Sequence, residues 1–240
     1  MFVVAVVALQ GPVEAEAPHL AATLGVTAYE AGLLLRAPSP AVVLRTPDRA
    51  RALALLAAMR ERGHDTVACD ATAVVASSAM HLVRAPWFAN DALSDGSERL
   101  SFDTVTALVR AAHTSRVETT EKTKETKVSL GRIAMTGGLL ATKKVEREKT
   151  HVSQSREQVL YVFSSSPVPW LVVASRCRYD GLGVPLRPSL HENFEAFVGL
   201  LRARCAPAPF DDRLLALKNA DADTADLLAN VVALAVTRRR

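Results

Sequence analysis

Six histidines, three cysteines and several serines and aspartates are the residues of this 240-residue chain that could do chemistry. His19, His64, His81, His113, His151 and His191 are scattered, with no HExxH and no paired spacing that would set two rings on one helix face. Each reads as a surface or capping histidine. Cys69, Cys177 and Cys205 are far apart and form no CxxC pair. A nucleophilic cysteine needs a base and positive surroundings, so packing is the default reading of all three. No GxSxG elbow occurs, and the serines at 77–78 and 164–166 have the look of loops. Gly137-Gly138 followed by Lys143-Lys144 lacks the glycine spacing and closing Gly-Lys-Ser/Thr of a phosphate-binding loop. Asp211-Asp212 and the Asp221/Asp223 pair suit first helical turns better than a divalent ion. The expectation is therefore no catalytic residue, no metal and no cofactor. The alternative is a small hydrolase or transferase whose site is assembled from distant residues, with His113, Cys177 and Asp180 as its members.

The stronger signal is a charged ribbon. From Arg116 to Thr126 charges alternate with threonines, a pattern suited to exposed antiparallel strands. Between Arg116 and His151 lysine and arginine exceed the acids, so the ribbon could face phosphates or lipid headgroups. Positions 103 to 160 hold no Phe, Tyr or Trp, and without a stacking platform nucleic acid is not expected as a partner. Charges of both signs also make an ordinary solvated face. In the middle lies the apolar stretch Ile133 to Ala141, with Gly137-Gly138 as a hairpin turn. Arg132, Ile133, Met135, Leu139, Leu140, Lys143 and Lys144 are the candidate contacts to a partner or membrane. The competing reading is burial of this tip against its own domain.

Composition bounds the compartment. Hydrophobic content of 49% with 22% charged residues is globular, and a net charge of +4 permits anionic partners without requiring them. An odd, unpaired set of cysteines suits a reducing compartment. Phe2 to Leu9 lacks a basic leader and runs into Gln10-Gly11-Pro12, so it reads as a strand and not a signal peptide. No stretch approaches the length needed to span a bilayer. A cytoplasmic protein is expected.

The elements that position these residues begin with a strand at Phe2–Leu9. Pro18 marks the first turn of a helix that Gly25 closes, and Thr27 with Glu30 forms a capping box for the next. A strand at Ala41–Leu44 leads to a helix begun by Thr46-Pro47-Asp48, with Leu53, Leu56, Ala57 and Met59 toward a core and Gly63 at its end. A strand from His64 to Ala68 completes a β-α-α-β-α-β order. A hinge is expected near Ser77-Ser78, and Asp95-Gly96 signals a turn. Residues 101–112 fit both a strand and a helix. Val159–Phe163 and Trp170–Ala174 read as buried strands joined by a Ser/Pro turn. Ser189 and Glu192 cap a helix with Leu190, Phe194, Phe197 and Leu201 on one face, and residues from Phe210 onward are expected to be helical, with a stripe of Leu227, Leu228, Val231 and Leu234.

The order of elements in 2–69, carried by Phe2–Leu9, the helix pair around Leu24 to Ala31, and Val42–Gly63 with its closing strand, resembles the small α/β domain shared by ClpS-type protease adaptors and the C-terminal domain of the bacterial ribosomal stalk protein. The resemblance implies a docking module. It carries over no binding residue, because Ala17–Thr23 has neither lysine nor arginine and the adaptors' acidic pocket has no match. The stretch from Met80 to about Cys205, with its small strands, Phe102-Asp103-Thr104-Val105 and the amphipathic helix from Leu190, resembles a pleckstrin-homology or GRAM-type domain, which implies lipid or protein binding. The expected architecture is α+β: a docking domain at 1–76, a mostly antiparallel barrel-like domain at 80–205 with the ribbon 114–158 inserted, and a helical tail at 206–240. The expected function is that of a non-catalytic adaptor that binds a protein partner, with anionic lipid as a second ligand. Self-assembly through the tail or the 133–141 hairpin is the remaining alternative, and the sequence does not fix an oligomeric state.

Overall fold

The computed structural model describes the backbone of residues 1–128 and 142–238, and side chains outside 116–154. The chain begins with β1 (Phe2–Ala8), α1 (Val13–Leu24), α2 (Ala28–Leu35), β2 (Ala41–Thr46), α3 (Arg49–Glu61) and β3 (Asp65–Asp70), the expected β-α-α-β-α-β order. The three strands form one antiparallel sheet ordered β2-β1-β3. Alternation along β1 sends Val4 and Val6 toward the three helices and Ala5 and Val7 to the opposite face.

Local chemistry explains most of the boundaries. Gly25 closes α1 at φ +74, and Thr27 and Glu30 satisfy one another's backbone N–H groups at the start of α2. Two starts differ from expectation. Pro12, not Pro18, precedes α1, leaving Pro18 inside the helix. Asp48, not Thr46, caps α3: its carboxylate accepts from the N–H groups of Ala50 and Arg51, while Thr46 ends β2. The core face of α3 also differs from expectation, set by its packing on the sheet. Ala52, Leu55 and Met59 are buried, and Leu53 faces solvent.

Next come β4 (His81–Val83), β5 (Pro86–Phe88), β6 (Ala92–Asp95), β7 (Glu98–Ser101), β8 (Val105–Val128), β9 (Thr142–Ser164), β10 (Trp170–Val173), α4 (Leu190–Arg204), β11 (Phe210–Leu214) and α5 (Ala222–Arg238). β5, β6 and β7 form a small antiparallel meander that turns at Gly96, and the others form a five-stranded sheet ordered β11-β8-β9-β10-β4. The ambiguous stretch 101–112 resolves as a 3₁₀ turn leading into β8. The class is α+β, and the described sheets are open, none closed into a barrel. The expected all-helical tail begins instead with β11, which pairs parallel to β8. A five-residue strand is too short to announce itself by period, and its conformation comes from the edge it completes.

The five-stranded sheet has a core on each face. Leu160, Val162, Trp170 and Val172 meet Phe194, Phe197 and Leu201 of α4. Val159, Tyr161, Leu171 and Val173 meet Leu228, Ala229, Val232 and Ala233 of α5. The other side of α5, with Val231 and Ala235, packs on Ala5, Val7 and Val67 of the first sheet. One helix therefore fills the space between two sheets. Residues Met1–Thr114 and Arg156–Arg240 make one compact unit, and Ser115–Ser155 make a second. The second contains the later residues of β8 and the earlier residues of β9, with the Ser115 and Ser155 hydroxyls 2.6 Å apart.

The free edge of β3 is occupied by arginines. Arg60 donates to the Thr66 carbonyl through Nε and Nη2 at 3.2 and 3.1 Å, and Arg238 of α5 donates to the same oxygen at 2.9 Å. Such charged cover discourages edge-to-edge pairing. The Thr66 hydroxyl itself is fully buried and has no hydrogen-bond partner. An orphaned buried hydroxyl costs roughly 1–3 kcal/mol. Thr66→Val is expected to raise stability by about 1 kcal/mol, measured by chemical denaturation. A loss of stability would show that the hydroxyl is satisfied.

Candidate functional site

The most connected polar group in the interior is built around Asp226, an acid within the apolar helix α5. Its Oδ1 accepts from the Tyr161 hydroxyl of β9 at 2.6 Å and from the Ser77 hydroxyl, and its Oδ2 accepts from the Ser77 backbone N–H at 2.7 Å. Tyr161 gives its only proton to Asp226, so its oxygen accepts from His113 Nε2 of β8 at 2.6 Å. The chain of donors runs His113 to Tyr161 to Asp226, with Ser77 donating from the other side. Tyr161 and Asp226 are buried, and the two ends are half-buried. Burial, and then the Asp226 carboxylate, push the Tyr161 phenol far up. Burial pushes the His113 imidazole down against the attraction of Asp226 and Glu157. Both effects favour the neutral forms that the bonding requires.

This order of groups does not activate the serine. A nucleophilic serine needs a base on its hydroxyl, which an imidazole oriented by a carboxylate provides. Here the carboxylate holds the serine directly, and the imidazole lies beyond a tyrosine. The arrangement ties the segment at Ser77, strands β8 and β9, and helix α5 to one another. The expected hinge at Ser77 is thus an anchor.

Other ionisable groups are used in the same way. Glu16 of α1 takes a two-point ion pair from Arg62 at 2.7 and 3.0 Å and a bond from His64 Nε2 at 2.9 Å, while His64 Nδ1 accepts from the Gln10 N–H. Arg62 first, with His64 assisting against burial, holds the Glu16 carboxyl down at about 2. Asp95 accepts from His81 Nε2 and from the N–H groups of Arg84 and Ala85, fixing the turn between β4 and β5. Buried Arg110 of β8 pairs with Glu195 of α4 and with Gln158.

The residues of the alternative catalytic set do not meet. His113 lies on the α5 side of the five-stranded sheet, Cys177 belongs to the core on the α4 side, and Asp180 is exposed beside Arg178. The cysteines are not poised as nucleophiles. Burial pushes the Cys177 thiol up to about 12 and the Cys205 thiol up to about 11, and raises Cys69 as well. Cys69 borders a hollow of about 170 Å³ with Phe2, Arg49 and Leu53, smaller than ordinary ligand pockets. Among the described residues no cluster of metal-ligating side chains occurs, and no helix is long and apolar enough to cross a membrane. Of the contact candidates, Arg132, Ile133, Met135, Leu139 and Leu140 lie outside the described residues. Lys143 and Lys144 fall in β9 with undescribed side chains.

What sequence reading missed is exposed apolar surface. On α2, Tyr29 and Leu33 sit one turn apart and are 71% and 51% exposed, with Val26 just before the helix also open to solvent. The signal was present in Tyr29-Glu30-Ala31-Gly32-Leu33-Leu34-Leu35, which has more apolar side chains than one buried face can hold. None of the protein families, curated proteins or solved structures compared with the chain matches it.

Two outcomes test these assignments. Tyr161→Phe leaves Asp226 short of a donor and His113 without an acceptor, and is expected to cost roughly 1–3 kcal/mol in denaturant unfolding; no loss would remove the anchor. The Glu16 carboxyl lies at about 2 in the folded chain against an ordinary 4.5. A depressed carboxyl contributes stability that is full above 4.5 and lost as pH falls toward 2. Glu16→Gln should therefore flatten the stability profile through that window.

Proposed function

We propose that the protein is a non-catalytic adaptor whose first α/β module, Phe2–Asp70, docks a protein partner. The observation that carries this reading is the exposed face of Tyr29 and Leu33 on α2. The helix is rigidly seated: Ala31 and Leu35 are in the core, and the Thr27–Glu30 box fixes its start. Large apolar side chains held on a rigid element, one of them an aromatic with a polar tip, are what binding anchors require. Supporting it from the other direction, the cysteines, His64, His81, His113 and Tyr161 are engaged in packing or in structural bonds.

The likeness of 80–205 to pleckstrin-homology or GRAM-type domains belongs to the same proposal. It is supported by α4 covering one face of a five-stranded sheet, although that sheet is open and mixed, with β11 parallel to β8 and β4 parallel to β10. The ribbon residues Arg132, Ile133, Met135, Leu139, Leu140, Lys143 and Lys144 are proposed as its contact with anionic lipid, on the strength of their sequence. A cytoplasmic setting accords with three unpaired cysteines.

The test is parallel affinity capture from a native lysate with the intact chain and with a Tyr29→Asp/Leu33→Asp variant, both shown to unfold at the same denaturant concentration. A protein retained by the first and lost at least about tenfold by the second supports the reading, as expected for hot-spot anchors. Equal retention of every captured protein overturns the α2 face as the docking site.

A further inference from the structure

A second exposed apolar feature is carried by β5 and the segment before α4, elements other than α2. Trp87 of β5 is 46% exposed, and Leu186 is 58% exposed on the segment that leads into α4. The two segments are held together. The Arg178 N–H donates to the Arg84 carbonyl at 2.8 Å, and Gly181 lies so close to β5 that a Cβ there would be 2.6 Å from the Pro86 oxygen and 3.2 Å from the Trp87 Cβ. Leu182 and Tyr179 root this turn in the core. Gly183 follows at φ +70, and every residue from Gly183 to Leu190 is exposed, Val184 and Leu186 included. Pro185 and Pro188 keep the segment from becoming helix. Its far end is fixed where the Asn193 side chain accepts from the Arg187 N–H and donates to the Arg187 carbonyl. Exposed Arg84, Arg178 and Arg187 belong to the same segments; of these, Arg178 has Asp180 at 3.9 Å.

We propose that Trp87, Val184 and Leu186, with Arg84, Arg178 and Arg187, form a docking surface for an anionic lipid bilayer. An indole half in and half out of solvent is suited to the headgroup level, exposed aliphatic side chains can enter the acyl boundary, and guanidinium groups pair with phosphates. All eight residues from Gly183 to Leu190 are exposed, so Val184 and Leu186 are open to a bilayer without rearrangement. Asp180 lies beside Arg178, and Glu192 and Glu195 border the same hollow as Arg187. Glu195 already pairs with Arg110, so the three arginines outnumber the remaining acids and set the sign of the lipid charge. The surface is independent of the α2 docking face.

The chain carries its own reporter, because its two tryptophans differ: Trp87 is exposed and Trp170 is buried. The experiment is flotation and tryptophan emission of the full chain at low salt, with vesicles of phosphatidylcholine plus phosphatidylglycerol against phosphatidylcholine alone. The expected result is flotation with the anionic vesicles only, accompanied by a blue shift in emission that Trp87→Phe abolishes. Leu186→Ser with Arg178→Gln should weaken binding tenfold or more, each arginine accounting for about fivefold. Tyr29→Asp/Leu33→Asp should float like the parent chain, so failure of the α2 reading does not touch this one. No flotation, flotation without an emission shift, undiminished flotation of the Leu186→Ser/Arg178→Gln variant, or the same shift with polyglutamate in place of vesicles would each overturn the proposal.

Discussion

The structure depends on a helix that must be buried on two sides. In α5, Leu228, Ala229, Val232 and Ala233 face one sheet and Val231 and Ala235 face another. Met80, Val75 and Leu217 add to the cover of the larger sheet and Val42 packs in both clusters, but α5 supplies most of the wall. Without α5, much of Ala5, Val7 and Val67 on one side and of Val159, Tyr161, Leu171 and Val173 on the other would meet water. Burial of a single large aliphatic side chain is worth about 1.5–3 kcal/mol, so losing a whole wall exceeds the margin by which domains are stable. The strands obey this demand by alternation. Along β9, Val159 and Tyr161 point to α5 while Leu160 and Val162 point to α4.

A helix so placed cannot leave an acid unsatisfied. Asp226 is buried with the sheet-facing residues of α5, and the Ser77, Tyr161 and His113 groups follow from it. The same bonds that solve the burial problem also specify a position. They fix α5 along its axis against β8 and β9, and they tie down the connection that follows β3. A buried polar chain of this kind stabilises little in net terms but is costly to break at one member. Its resemblance to a catalytic relay is therefore superficial, and the order of its donors is what separates the two.

Much of the first module, and the start of α4, was legible because the signals are local. The Thr27–Glu30 and Ser189–Glu192 boxes, the left-handed Gly25 and the apolar run of β1 each act within a few residues. What escaped reading depends on distant partners. β11 is a strand because it completes an edge beside β8, and Leu53 is exposed because α3 packs on the first sheet through Ala52, Leu55 and Met59. The anchor at Asp226 had one local trace, an acid inside an apolar stripe, but its partners lie 149 and 65 residues away. The α2 face left a trace in its surplus of apolar residues, whereas the exposed Trp87 left none, for a simpler reason. An apolar side chain in a sequence carries no mark of whether a core exists to receive it.

Native-state hydrogen exchange on the intact chain carrying Val231→Ala addresses the central claim, that one helix supports both sheets. Val231 packs on the β1 side of α5. If α5 is the shared wall of a single cooperative unit, the substitution lowers protection of the slowest amides in β9 and β10 by the same free energy as those in β1 and β3. Loss of protection confined to the first sheet, with β9 and β10 unchanged, would contradict it.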